Sequence, residues 1–215
     1  MGISGTVGTI TVTPTGGTID GLATLALLPG QECRLRTDGT NWRSFGLKRE
    51  VIIGTLDIST SSASGQVLLP AGYRFFEVMF KDYVPVVNRD GLSGQFSTDS
   101  GATWKTTNYY ECGFFDNITT TTSTYTNSAV AYMTIIGLAA SASWGAFSVF
   151  KISPGTSILN PNYLGMVTGY DTSSRQRPFY VTGMLAIQGP IVNALKFYAP
   201  SGNFSNISVM VKGYV

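Results

Sequence analysis

Glu77, Asp82, Asp90, Asp99, Glu111, Asp116 and Asp171 are the side chains that could do acid–base chemistry in this chain. A pair of carboxylates can hydrolyse a glycan, one protonating the leaving oxygen while the other attacks or activates water. These seven are isolated from one another, and each sits in a strand or turn pattern, where a solvated or capping role is expected. The chain has no histidine, so a Ser-His-Asp triad, a Cys-His pair and a His-ligated metal are excluded. Cys33 and Cys112 are far apart and form no CxxC unit; they read as small apolar residues rather than as a disulfide or zinc site. The glycine turns of "GTVGTITV" and "SGNFSN" lack the GK[ST] of a phosphate loop. No metal and no cofactor is therefore expected.

What remains is stacking. Aromatic side chains at loops can lie against sugar rings. Tyr109, Tyr110, Phe114, Phe115 and Tyr125 flank a threonine-rich run, and Tyr163, Tyr170 and Tyr180 border the polar segment 171–178 with Arg175 and Arg177. From these, Tyr109, Tyr110, Phe114, Tyr125, Tyr170, Arg175 and Arg177 are the candidate receptor or glycan contacts.

The elements that must carry these residues are strands. Charged residues make up 12% of the 215 residues, half the usual ~25%, while 25 are glycine and Thr and Ser are abundant. That composition suits β-sheet with many turns. Period-two alternation recurs. Phe76, Val78 and Phe80 oppose Glu77, Met79 and Lys81, and Leu195 and Phe197 oppose Lys196 and Tyr198. Ile207, Val209 and Val211 likewise oppose Ser208, Met210 and Lys212. Turn signals such as "NRDGL", "DSGAT", "SPGT" and "PSGN" separate these runs. About eight strands between Ile58 and Val215 are predicted, in an antiparallel jelly-roll-type sandwich. The threonine-rich run 117–128 reads as a strand leading out of a loop.

Other partners are constrained by charge. The net charge is +2, and "RLRTDGTNWRSFGLKR" is the densest basic segment, which argues against nucleic acid. No charge lies between Asp116 and Lys151, yet Ser, Thr and Gly interrupt this segment throughout. Two buried strands, 129–139 and 143–152, explain it better than a membrane-spanning helix. "MGISGTVGTITV" has no basic region followed by an apolar run, so no secretory signal is expected.

The first fifty residues differ from the rest. Short strands at 9–13, 24–28 and 33–37, set apart by Gly-Gly, Asp-Gly and Pro-Gly turns, are too few to bury a core alone. The reading is all-β, with a small β-module over 1–54 and a sandwich over 55–215, joined through "KREVIIGTLDIST".

Residues 97–104, "STDSGATW", follow Ser-x-Asp-x-Gly-x-Thr-Trp and resemble the Asp box, the hairpin turn repeated in sialidase propellers. Such a propeller needs several boxes, an arginine cluster and a Tyr–Glu nucleophile pair. One box is present, and the arginines show no matching pattern. Asp99, Gly101 and Trp104 therefore read as a structural turn, with Asp99 accepting backbone N–H bonds and Trp104 packing beneath the hairpin.

"TITVTPTGGTIDGLATLALLPGQECRLRTDGTNWRSFG" resembles the small β-module of tailed-bacteriophage tail fibres and other virion appendages, in Gly17–Gly21, Pro29–Gln31 and Asp38–Trp42. "YRFFEVMFKDYVPVVNRDGLSGQFSTDSGATWKTTNYY" and "ALKFYAPSGNFSNISVMVKGY" resemble fibre-tip domains, with the terminal Gly213-Tyr214 reversed from the usual order. The resemblance implies a non-enzymatic virion protein, homotrimeric, assembled in the host cytoplasm. It implies contacts with other virion proteins and with a host surface glycan, and a core role for Trp42. Low charge accords with subunit faces covered by neighbours. A capsid decoration or head-fibre protein is the alternative, and a glycan-cleaving tailspike a minor one.

Overall fold

In the computed structural model, the described residues are 10–28, 31–46, 50–87, 90–117, 121–136, 146–156, 158–170, 176–187 and 191–215. The side chains of 115–117, 121–123, 125, 169–170 and 176–177 are outside that description. All regular structure among them is strand. The first four strands are short: β1 (Ile10–Val12), β2 (Leu25–Leu27), β3 (Arg34–Thr37) and β4 (Trp42–Phe45). Then come β5 (Glu50–Ile58), β6 (Ser64–Leu68), β7 (Phe75–Pro85), β8 (Leu92–Ser97), β9 (Tyr109–Asn117) and β10 (Thr121–Val130). The last six are β11 (Met133–Ile136), β12 (Ala146–Ser153), β13 (Asn162–Tyr170), β14 (Gln176–Leu185), β15 (Ala194–Tyr198) and β16 (Phe204–Tyr214).

Two sheets carry the core. The larger has the order β10-β9-β14-β13-β12-β7-β16-β5 and the smaller β11-β8-β15-β6, with every neighbouring pair antiparallel. The predicted alternation places the inner faces correctly. Phe76, Val78, Phe80, Leu195, Phe197, Ile207, Val209 and Val211 are all buried in one apolar cluster. Between the sheets, Phe80 meets Phe197 edge-on at 5.4 Å between centroids, and Phe96 lies 6.2 Å from Tyr163. Hiding apolar surface of this kind is worth roughly 25 cal/mol per Å² and is the main force holding the sheets face to face.

Eleven strands, β6 to β16, follow Ile58 rather than about eight. The chain alternates between sheets, with β5, β7, β12 and β16 in the larger and β6, β8, β11 and β15 in the smaller. The pairs β9–β10 and β13–β14 both stay in the larger sheet and form its last four strands. Residues 129–139 end β10 and contain β11, and β12 covers the described part of 143–152.

Close approach decides several glycines. Phe150 faces Gly165 across β12–β13, Tyr163 faces Gly183 across β13–β14, and Phe197 faces Gly65 across β15–β6. The rings lie over the glycines, and a Cβ on Gly165 would stand 2.3 Å from the Phe150 ring.

Residues 10–46 form two small sheets, β1-β2 and β3-β4. Ile19 bridges both Leu22 and Trp42 and is buried, whereas Trp42, expected in the core, is half-buried. Among the described residues of 10–46, Ile19 is the one buried large apolar side chain, so no core there encloses the indole. Asp38 accepts the N–H groups of Thr40 and Asn41 at 2.9 and 2.7 Å, and Asp20 accepts the Ser44 N–H and hydroxyl. β5 runs unbroken through position 54 and pairs with β16.

Candidate functional site

The Ser97–Trp104 turn is held by hydrogen bonds from its own side chains. The Ser97 hydroxyl donates to Asp99 Oδ1 at 2.6 Å and accepts the Asp99 and Gly101 N–H groups at 3.1 and 2.9 Å. Asp99 Oδ1 also accepts the Thr103 N–H at 2.8 Å, and Oδ2 accepts the Thr103 hydroxyl at 2.5 Å. These bonds, led by those from the Ser97 and Thr103 hydroxyls, hold the Asp99 carboxyl down at about 2. Gly101 sits at φ +93°, and its Cα faces the Trp104 ring, which a Cβ would approach at 3.3 Å. From β15's side, Asn193 accepts the Ser100 N–H at 2.7 Å and donates to the Thr98 carbonyl at 3.2 Å. Asp99 is a turn-builder.

Glu111 overturns the expectation of a solvated or capping acid. It is 3% exposed, on the inner face of β9. Its carboxylate accepts four bonds: from Tyr163 O–H at 3.0 Å, Thr134 N–H at 2.9 Å, Thr134 O–H at 2.5 Å and Asn127 Nδ2 at 3.1 Å. The network ties β9 to β10, β11 and β13, so Glu111 locks the added strands to the smaller sheet. Asp90 is also buried and accepts the Ser201 N–H at 3.0 Å. Among the described residues, no three His, Cys, Asp or Glu side chains gather as a metal would require.

The outward face of β9, β10, β13 and β14 is the unusual surface. Sheet faces that meet water normally carry polar side chains. Here Tyr110, Phe114, Leu164 (55% exposed), Met166 (46%), Tyr180 and Met184 all stand exposed. Phe114 stacks on Tyr180 at 4.8 Å between centroids and 23° between planes. A shallow groove of about 390 Å³ beside them is lined by Cys112, Phe114, Thr124, Leu164, Tyr180 and Thr182. Register continues the apolar row: Thr124, Phe114, Tyr180, Met166, Val149, Met79 and Met210 lie opposite one another in sequence across seven strands. Charge enters in the adjoining rows, as Lys151, Glu77 and Lys212 on β12, β7 and β16 on one side and Lys81 on β7 on the other.

Of the sequence-predicted contacts, the structure brings Tyr110 and Phe114 together on this face. Tyr109 is a correction. It is fully buried, its hydroxyl accepting the Phe96 N–H at 2.7 Å and donating to the Lys105 carbonyl at 3.2 Å, and burial pushes its pKa up. One step along a strand reverses the face, so neighbouring Tyr109 and Tyr110 have opposite fates. Tyr163 is buried on Glu111 in the same way. Tyr125, Tyr170 and Arg177 lie on described strands, but their side chains are outside the described residues, as is all of Arg175. Cys112, read as an ordinary small apolar residue, is exposed at the centre of the face. Leu164, Met166 and Met184 were not singled out by sequence reasoning. The signal was present: "NYLGMVT" is apolar at both parities, the mark of a strand covered on both sides.

No known family, curated protein or solved structure matches the chain.

Proposed function

We propose that this chain is a non-enzymatic bacteriophage virion structural protein, a tail-fibre or tail-tip component that assembles as a homotrimer and contacts the host surface. The observation that carries the reading is the apolar face of β9, β10, β13 and β14, uncharged among its described side chains, a surface for binding rather than chemistry. The resemblance of 10–46 and of the sandwich strands to fibre modules supports the assignment to a virion appendage.

A jelly-roll connectivity is part of the same reading. Strand order supports it: β5-β16-β7-β12 faces β6-β15-β8-β11, with the chain passing from one sheet to the other at each step along these eight strands except β8 to β11. The pairs β9–β10 and β13–β14 are then insertions that widen one sheet. In this reading the face that distinguishes the molecule lies on its insertions, where its function is carried. Immunogold labelling of intact virions tests the placement. Gold at the tail tip or fibres is the expected result, and gold confined to the capsid overturns it.

A further inference from the structure

The widened part of the larger sheet combines two liabilities that a lone soluble chain avoids. Its outward face is apolar among the described side chains, and its outermost strand is long and uncharged, with a bulge only near its end. β10 pairs with β9 on one side and is the edge of the sheet on the other. Edge strands of stable monomers are short or carry charges, proline or inward lysines. β10 has ten residues, "TTSTYTNSAV", with no charge and no proline. The outer face of the smaller sheet provides the contrast in polarity, with Gln66 exposed, Lys196 half-buried, and Ser93 and Gln95 polar though buried.

We infer that the outer face of β9, β10, β13 and β14, with the free edge of β10, is the contact between copies of this chain. Area supports this occupant. Four strands of nine or ten residues cover roughly 19 by 30 Å, so the face offers roughly 600 Å², close to the ~800 Å² each partner gives a standard interface. The row through Val149, Met79 and Met210 extends it further. Charge supports it too. Among the described side chains of these four strands, none on the outer face is charged, so none of them opposes a like charge when two copies meet. A glycan would need converging polar groups, and among the described side chains the groove offers the hydroxyls of Thr124, Thr126, Thr182 and Tyr180 and the Cys112 thiol, with no carboxylate, amide or guanidinium. The methionines and the stacked Phe114–Tyr180 pair are adaptable and rigid anchors respectively, as protein interfaces use. The inference rests on the self-association in the proposed function, but not on where in a particle the protein sits.

Sedimentation of the full chain at micromolar concentration, with Cys112 thiol labelling in a Cys33→Ser background, tests it. The expected mass is a small multiple of 23.0 kDa. Cys112 should react about tenfold more slowly than a free thiol, because the contact covers it. Phe114→Glu with Met166→Glu should give single chains, full Cys112 reactivity and a retained cooperative melt. Ser64→Glu, exposed on β6, should change none of these. Wild-type chains that sediment singly, an oligomer in which Cys112 reacts freely, or a folded double variant that keeps its oligomeric mass would each overturn the inference. Wild-type mass and Cys112 protection decide the matter even if the double variant misfolds. Single chains would leave the virion placement standing, and a capsid location would leave this contact standing.

Discussion

Glu111→Ala should be among the most damaging single substitutions in the chain. Removing the carboxylate takes the acceptor of Glu111 away from the Thr134 N–H, the Tyr163 O–H and the Asn127 amide, at a position only 3% exposed. A buried donor left unsatisfied costs about 1–3 kcal/mol, and hydrogen bonds to a charged group lie at the upper end. Asn127 is half-buried and can turn toward solvent; Thr134 and Tyr163 are held by β11 and β13. Two orphaned donors plus the cavity give a loss of about 3–5 kcal/mol. In a chain of this length each kcal/mol is worth ~2–4 °C, so the melting temperature should fall by about 6–20 °C. Glu111→Gln keeps one acceptor but turns an amide N–H₂ toward other donors, so it should cost about 1–3 kcal/mol. Urea unfolding followed by tyrosine and tryptophan emission measures both, with an unchanged slope showing that the unfolded state is unaffected. Hydrogen exchange at the Thr134 amide should speed up in step. If Glu111→Ala unfolds within about 0.5 kcal/mol of wild type, the network contributes no net stability and the reasoning fails.

The other expectations are equally local. Because the Asp99 carboxyl titrates at about 2, below its ordinary 3.8, its turn is fully supported above about pH 4 and loses that support as the pH falls through 2. An NMR titration of Asp99 with a midpoint near 4 would refute the bonding described. Gly165→Ala should destabilise by about 1–3 kcal/mol, since its Cβ meets the Phe150 ring at 2.3 Å; adding Phe150→Leu should recover part of the loss in thermal melts. Gly17→Ala combines φ +73° with a 1.8 Å approach to the Thr40 carbonyl oxygen. Trypsin should then cut after Arg36 and Arg43 sooner, while the melt of the sandwich stays in place.

Strands whose two faces differ in polarity were legible residue by residue. Phe76, Val78 and Phe80 on β7, and Ile207, Val209 and Val211 on β16, are buried as their alternation requires. The Asp99–Gly101–Trp104 turn was legible for the same reason, because its bonds close within seven residues. The candidate face was only half legible. Tyr110 and Phe114 were found by aromatic type, but Tyr109 was taken with them, since type alone does not tell which parity faces out.

What the amino-acid order determined, then, was the all-β class, the inner faces of the strands, the Asp99 turn and the exclusion of histidine chemistry. All of these depend on near neighbours and on a two-residue period. Only the tertiary structure decided that β14 lies between β9 and β13, which sets Phe114 against Tyr180 and Tyr180 against Met166. It also decided that Glu111 sits beneath them, bonded to Tyr163. Those residues are dozens of positions apart, and their meeting depends on which strands pair, a choice made by burial over the whole sandwich rather than by any local pattern.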